Sequence, residues 1–134
     1  GEVIEWRGAT IVNDCYNSNP RALDAMVDAL MATPGERHIV VAGEMLELGP
    51  EGESLHAACG RRMAERGMTA LVGVRGLAES MVRAAQTAGM EAVFVADAIE
   101  AGEWLQANVR AGDAVLLKAS RGVRLERALE GVVS

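Results

Sequence analysis

Short β-branched runs alternate with longer segments of helical period along this whole chain, and that alternation leaves few folds open. The runs are EVIEW at 2–6, ATIVND at 9–14, HIVVAG at 38–43, ALVGV at 70–74, AVFVA at 92–96 and AVLLKA at 114–119. Between them apolar residues recur at spacings of three and four. Leu23, Met26, Val27, Leu30 and Met31 form one such stripe; Leu55, Ala58, Cys59 and Met63, edged by the Arg62 stem, form the next. Leu77, Met81, Ala85 and Ala88 follow, then Ala98, Leu105 and Val109, and finally Leu125, Ala128, Leu129 and Val132. Strands joined through helices predict a parallel sheet with right-handed crossovers. Arg7-Gly8, between the first two runs, predicts a hairpin that adds one antiparallel strand. The expected fold is α/β and Rossmann-like: a mostly parallel, twisted sheet of about six strands with helices on both faces.

The predicted boundaries are consistent with this. Asn19 is placed to cap a helix whose first residue is Pro20, where a missing N–H costs nothing. Asp97 followed by Glu100 predicts a second capped start. TPGE, AGM and RAGD close helices ahead of the next strand.

At 134 residues the chain is expected to be one domain, residues 1–134. With 50% hydrophobic but only 3% aromatic residues, its core must be aliphatic. A net charge of −6 argues against a nucleic-acid surface, which needs a basic face. No apolar run approaches the ~20 residues of a membrane span, and no signal-peptide pattern opens the sequence. Cys15 and Cys59 make no disulfide framework; two reduced thiols in a cytoplasmic protein are expected.

Ligands of open α/β sheets bind at the carboxyl ends of the strands. Three of the predicted strands end in long polar loops: NDCYNSNP after the second, GEMLELGPEGE after the third and KASRG after the last. The loops GVRG and AD, which follow the other two parallel runs, are short and plain. For each rich loop there is a plainer alternative. Asp14 and Asn17 serve equally as turn and cap residues, Glu44 and Glu47 as solvated charges, and Ser120 as the N-cap of the last helix. Yet KASRG at a helix start offers free backbone N–H groups, a hydroxyl and the cations of Lys118 and Arg121, a set suited to a carboxylate or phosphate.

Several chemistries are excluded. The chain has neither a G-x-x-x-x-G-K-[ST] loop nor G-x-G-x-x-G, so it cannot cradle a triphosphate or dinucleotide by itself in the usual way. His56 and Cys59, three apart on one helix, are too few for a metal site, and packing is the expected role. No histidine lies near Cys15 to activate it. No metal site and no catalytic residue are expected within the chain, whose polar edge reads as part of a site completed elsewhere.

The motifs go further. DCYNSNP resembles the D-x-Y-N-x-N-P signature of the Mur ligases of peptidoglycan synthesis. GEMLELG with Leu55-His56, and LLKASRGVRLE, resemble the G-D-M-L-E-L-G…L-H and L-L-K-G-S-R-x-x-x-x-E of the branch that adds D-Ala-D-Ala. They stand in the family's order and cover nearly the whole chain, which matches the C-terminal domain of a three-domain ligase. The resemblance implies that ATP phosphorylates the carboxylate of UDP-MurNAc-tripeptide and that the D-Ala-D-Ala amine attacks the acyl phosphate. ATP and Mg²⁺ are then held mainly by the central domain, and the partners are the two substrates and the chain's own N-terminal and central domains. Carried over by motif, Asp14 faces the ATP ribose, with Tyr16, Asn17 and Asn19 shaping that loop. Lys118, Ser120 and Arg121 lie by the dipeptide, with Glu44 and Glu47 on the substrate side. Glu44 stands where the family usually has Asp, and Ala119 where it usually has Gly. The family's phosphate-contacting Arg has no match, since Arg7 sits on a hairpin turn that points it away.

Two other readings compete. A receiver domain also has acids after its first strand and a terminal Lys, which Asp14 and Lys118 imitate. It needs a phosphorylatable Asp after its middle strand, where ALVGVRG offers none. The second is a substrate-binding domain of a related amide ligase of the folylpolyglutamate synthase or cyanophycin type, against which the N-x-N-P of the first loop weighs.

Overall fold

The structure is a computed structural model that describes residues 2–14 and 18–118; the predicted helix around Leu125–Val132 lies outside them. The elements run β1 (Glu2–Trp6), β2 (Ala9–Asp14), α1 (Pro20–Met31), β3 (Arg37–Gly43), a 3₁₀ turn (Gly49–Glu51), α2 (Gly52–Glu65), β4 (Ala70–Val74), α3 (Ala78–Thr87), β5 (Glu91–Val95), α4 (Ala98–Asn108) and β6 (Asp113–Lys118). They form one six-stranded sheet in the order β1-β2-β6-β3-β4-β5. β1 is antiparallel to β2 and every other neighbouring pair is parallel, as expected. The hairpin turns on Arg7 and Gly8, both left-handed at φ 53 and 83, the geometry of a tight two-residue loop.

Side-chain alternation divides the core into two layers. Val40, Ala42, Leu71, Ala92, Ala114 and Leu116 face α1, α2 and α3. Ile39, Val41, Val72, Val115 and Leu117 face α4. Caps set the helix starts. The Asn19 side chain accepts the Ala22 N–H at 2.9 Å, with Pro20 following it in the first turn. Asp97 accepts the Glu100 N–H at 2.9 Å, while the Glu100 carboxylate reaches back to the Ala96 N–H at 2.7 Å.

On α2 the buried stripe differs from the expected one. Gly52, His56, Cys59, Gly60 and Met63 face inward, and Leu55 and Ala58 are only half-buried. The reason is Gly60: with no side chain it lets the α3 backbone approach closely, which turns that seam of α2 inward. Arg62 is not an apolar edge; it pairs with Asp24 of α1 at 2.6 Å.

Cys59 is fully buried. Burial pushes its thiol up to about 11, with Asp24 acting in the same direction and Arg62 against it. Because the thiolate is the nucleophile, Cys59 is expected to resist iodoacetamide at pH 8 in the folded chain and to react once urea is added. Peptide mass mapping separates it from Cys15, and ready labelling of Cys59 without denaturant would refute its burial. No helix among the described residues is long and apolar enough to cross a membrane.

Candidate functional site

Two of the motif residues meet at the carboxyl edge of the sheet. Asp14 is the last residue of β2 and Lys118 the last of β6, and they are partners in the parallel register. Alternation puts both side chains on the face of Val12 and Leu116, the one α1 covers. The Lys118 ammonium donates to Asp14 Oδ2 at 2.9 Å across 104 positions of sequence. The Lys118 side chain is 6% exposed and that of Asp14 19%. A buried ammonium costs several kcal/mol unless a charge answers it, and Asp14 supplies that charge.

On its other side Lys118 is in register with Ala42 of β3, so the GEMLELG loop starts at the next residue, Gly43. Glu44 in that loop is half-buried and bridges to the next strand end. Its Oε2 accepts the Leu77 N–H at 3.0 Å, and Oε1 lies 3.5 Å from Arg75 Nε. Arg75 and Gly76 are left-handed, at φ 73 and 53, and a Cβ on Gly76 would stand 2.1 Å from the Glu44 carboxylate. Only glycine admits so close an approach. Glu44 is therefore a clasp between the loops after β3 and β4. Glu47 is exposed and left-handed at φ 61, an uncommon backbone state for a residue with a side chain.

His56 is a second anchor of the same loop. Its Nε2 accepts the Met45 N–H at 2.9 Å, so Nδ1 carries the proton and donates it to the Gly52 carbonyl at 2.6 Å. The ring is fully buried, and it fixes the backbone of Met45 directly behind Glu44.

Asp14 and Lys118 thus touch, and Glu44 stands just past the end of β3, the strand beside Lys118. Asn19 lies at the start of α1, with its side-chain oxygen committed to the helix cap. Glu47 points from an exposed turn of the β3 loop. Tyr16, Asn17, Ser120 and Arg121 lie outside the described residues. Arg7 sits at the opposite edge, stacked 4.3 Å from the Trp6 ring centroid and donating to the Gln106 carbonyl. Sequence reasoning missed the share of Arg75-Gly76 in the site: GVRG looked plain, and only its R-G turn pair hinted at unusual backbone. It also missed what His56 holds, because a lone buried histidine carries no partner information in its sequence. No group of three or more His, Cys, Asp or Glu able to hold a metal ion occurs among the described residues.

Comparisons with known proteins bear on this edge. The family described as "Mur ligase, glutamate ligase domain" matches residues 1–121. A UDP-N-acetylmuramoyl-tripeptide–D-alanyl-D-alanine ligase of Mycobacterium leprae is 37% identical over 88% of this chain and 26% of its own length. The enzyme of that name from Bacillus subtilis is 30% identical over 94% of this chain and 28% of its own. The crystal structure of a MurF ligase from Thermotoga maritima in complex with ADP superposes with a TM-score of 0.81 at 31% identity, covering 97% of this chain and 29% of that one. A MurF from Acinetobacter baumannii reaches a TM-score of 0.86 at 24% identity, which speaks for the fold alone. The chain thus spans between a quarter and a third of the length of the relatives it matches.

Proposed function

Since the chain belongs to the Mur ligase family, we propose that residues 1–134 are the C-terminal domain of an ATP-dependent ligase that joins D-Ala-D-Ala to UDP-MurNAc-tripeptide. The observation that carries this reading is the meeting of Asp14 and Lys118, drawn from two separate motifs, at 2.9 Å on the carboxyl edge of the sheet. Two relatives identical to this chain at 37% and 30% of the aligned positions bear the name of that activity, and a third was solved with ADP.

In the proposed reaction ATP phosphorylates the tripeptide carboxylate. The dipeptide amine then attacks the acyl carbon, an amide C–N bond forms, the C–O bond to phosphate breaks, and the amine gives up a proton. This chain's part is positioning. Asp14 receives the ribose hydroxyls of the nucleotide, beside a loop shaped by Tyr16, Asn17 and Asn19. Ser120 and Arg121, after β6, receive the dipeptide carboxylate, and the clasped loop carrying Glu44 and Glu47 forms the adjoining wall. Holding a weak amine nucleophile against an activated acyl group raises its effective concentration by orders of magnitude. Covering the acyl phosphate also keeps water from it. Mg²⁺ would be held mainly by the central domain with the ATP phosphates, as the resemblance implies, where it would offset the charge of the phosphates. The reaction belongs to the cytoplasm, where its nucleotide substrates are.

The test uses the intact ligase that carries this chain, with ATP, Mg²⁺, UDP-MurNAc-tripeptide and D-Ala-D-Ala, and detects the pentapeptide product by mass. Asp14→Ala is expected to lower kcat/KM by about a hundredfold, the scale of a lost positioning contact. Product formed at the wild-type rate by Asp14→Ala would reduce Asp14 to a strand-end residue. Product with glutamate but none with D-Ala-D-Ala would move the chain to the folylpolyglutamate or cyanophycin type.

A further inference from the structure

We propose that Lys118 is a positioning residue for the nucleotide, acting through Asp14 and touching neither substrate. The proposal rests on the ligase reading above and departs from the resemblance, which set Lys118 beside the dipeptide.

The two residues end adjacent parallel strands in register, so their side chains leave the sheet together on one face. Lys118 is the inner member of the pair and Asp14 the outer, at 6% and 19% exposure. A ligand that reaches this edge from solvent therefore meets the carboxylate first. The ammonium already bonds Asp14 Oδ2 at 2.9 Å, and its charge is answered there. The ammonium has two further N–H donors, but a side chain only 6% exposed gives an incoming anion little access to them, while the more exposed carboxylate of Asp14 stands in front.

The same bond determines what Asp14 offers. Oδ2 is engaged by the ammonium, and among the described residues Oδ1 has no hydrogen-bond partner, so one carboxylate oxygen is presented in a set direction. A free Asp side chain would sample several orientations; the Lys118 bond removes that freedom before a ligand arrives, which is the usual work of a supporting residue behind a binding contact. An acceptor-only oxygen suits a neutral hydroxyl donor such as a ribose diol. It does not suit a carboxylate, which would face it charge to charge.

The experiment compares Lys118→Met, Lys118→Arg, Asp14→Asn and the double variant Asp14→Asn/Lys118→Met in the intact ligase. It measures the Kd of a fluorescent ATP analogue and the KM of ATP and of D-Ala-D-Ala, with a thermal melt of each protein. Lys118→Met is expected to raise the Kd and KM for nucleotide about tenfold and to leave the dipeptide KM within about twofold. Added to Asp14→Asn it should cost less than about twofold more, because residues that act as one unit are not additive. Lys118→Arg should recover most of the affinity. A dipeptide KM that rises while nucleotide binding stays unchanged would make Lys118 a dipeptide ligand and overturn the proposal. So would a fully additive double variant. Should Lys118→Met fail to melt cooperatively, the double variant leaves no lone buried charge, and its comparison with Asp14→Asn decides the matter. A wild-type enzyme that binds nucleotide but makes no D-Ala-D-Ala product fails the substrate assignment alone, and the nucleotide measurements still judge Lys118. One that binds no nucleotide overturns both.

Discussion

Asp113→Asn is expected to destabilise the chain by about 3 kcal/mol at pH 7, the cost of breaking one side of a buried ion pair. Asp113 opens β6 at the amino edge of the sheet, far from the motif residues, with its side chain 1% exposed. It is in register with Arg37 of β3, which grips it with Nε to Oδ1 at 2.8 Å and Nη2 to Oδ2 at 2.7 Å. Oδ2 also accepts the Arg110 N–H at 2.7 Å, and Arg37 Nη2 reaches the Asn108 carbonyl at 2.8 Å. One carboxylate thus ties the end of α4 to two central strands. Burial of the Asp113 carboxyl favours its neutral form, but the bonds from Arg37 and the Arg110 backbone outweigh this and hold it below the usual carboxylate range. A lowered folded-state value gives stability that is complete above the unfolded value of about 3.9 and is lost as pH falls through the folded one. Urea unfolding should therefore show a wide gap between wild type and Asp113→Asn at pH 7, with the same slope, closing only in strong acid. A gap below about 0.5 kcal/mol at pH 7, the size of an ordinary surface substitution, would sink this account.

The difference between that edge and the other shows what the sequence makes legible. Ile39, Val41, Val115 and Leu117 announce buried parallel strands because strands covered on both faces read as near-continuous apolar runs. Asn19-Pro20 and Asp97…Glu100 announce helix starts because a cap bonds within its own four residues. Both signals are local. The order of the sheet is not: nothing in AVLLKA says that β6 inserts between β2 and β3, and that insertion is what sets Lys118 beside Asp14 and Asp113 beside Arg37. The motifs pointed to the carboxyl edge through Asp14, Glu44 and Lys118, and the fold brings the strand ends that carry them together. They could not say that Lys118 spends its charge on Asp14 or that Glu44 clasps Leu77, since each partner comes from a different strand end. His56 is the same case. Its identity was plain, while the Met45 N–H it accepts depends on how the loop folds back over α2.

Gly60→Ala shows how far a nonlocal contact can reverse a local rule. Gly60 lies inside α2, where by propensity alone alanine should stabilise by about 1 kcal/mol. The expected result is the opposite, a loss of about 3 kcal/mol, at the upper end of what overpacking a core costs. A Cβ at Gly60 would stand 2.1 Å from the Met81 carbonyl oxygen and 2.9 Å from its carbon, both backbone of α3. A flexible side chain could swing away from such a clash, but a helix carbonyl cannot. The buried stripe of α3 is held as closely against the sheet, since a Cβ at Gly73 of β4 would meet Val82 Cγ2 at 2.5 Å and the Ala78 carbonyl at 3.0 Å. α3 thus rests against two glycines, and its N-terminal end carries Leu77, whose N–H Glu44 accepts. Pushing α2 and α3 apart should therefore loosen the carboxyl edge as well as the core. Hydrogen exchange should show it as lost protection at Leu77 and Met45, beyond the amides of α2 and α3 themselves. A Gly60→Ala chain that is as stable as wild type, with both of those amides still protected, would mean that α2 and α3 do not pack this closely, and the clasp would have to be explained without them.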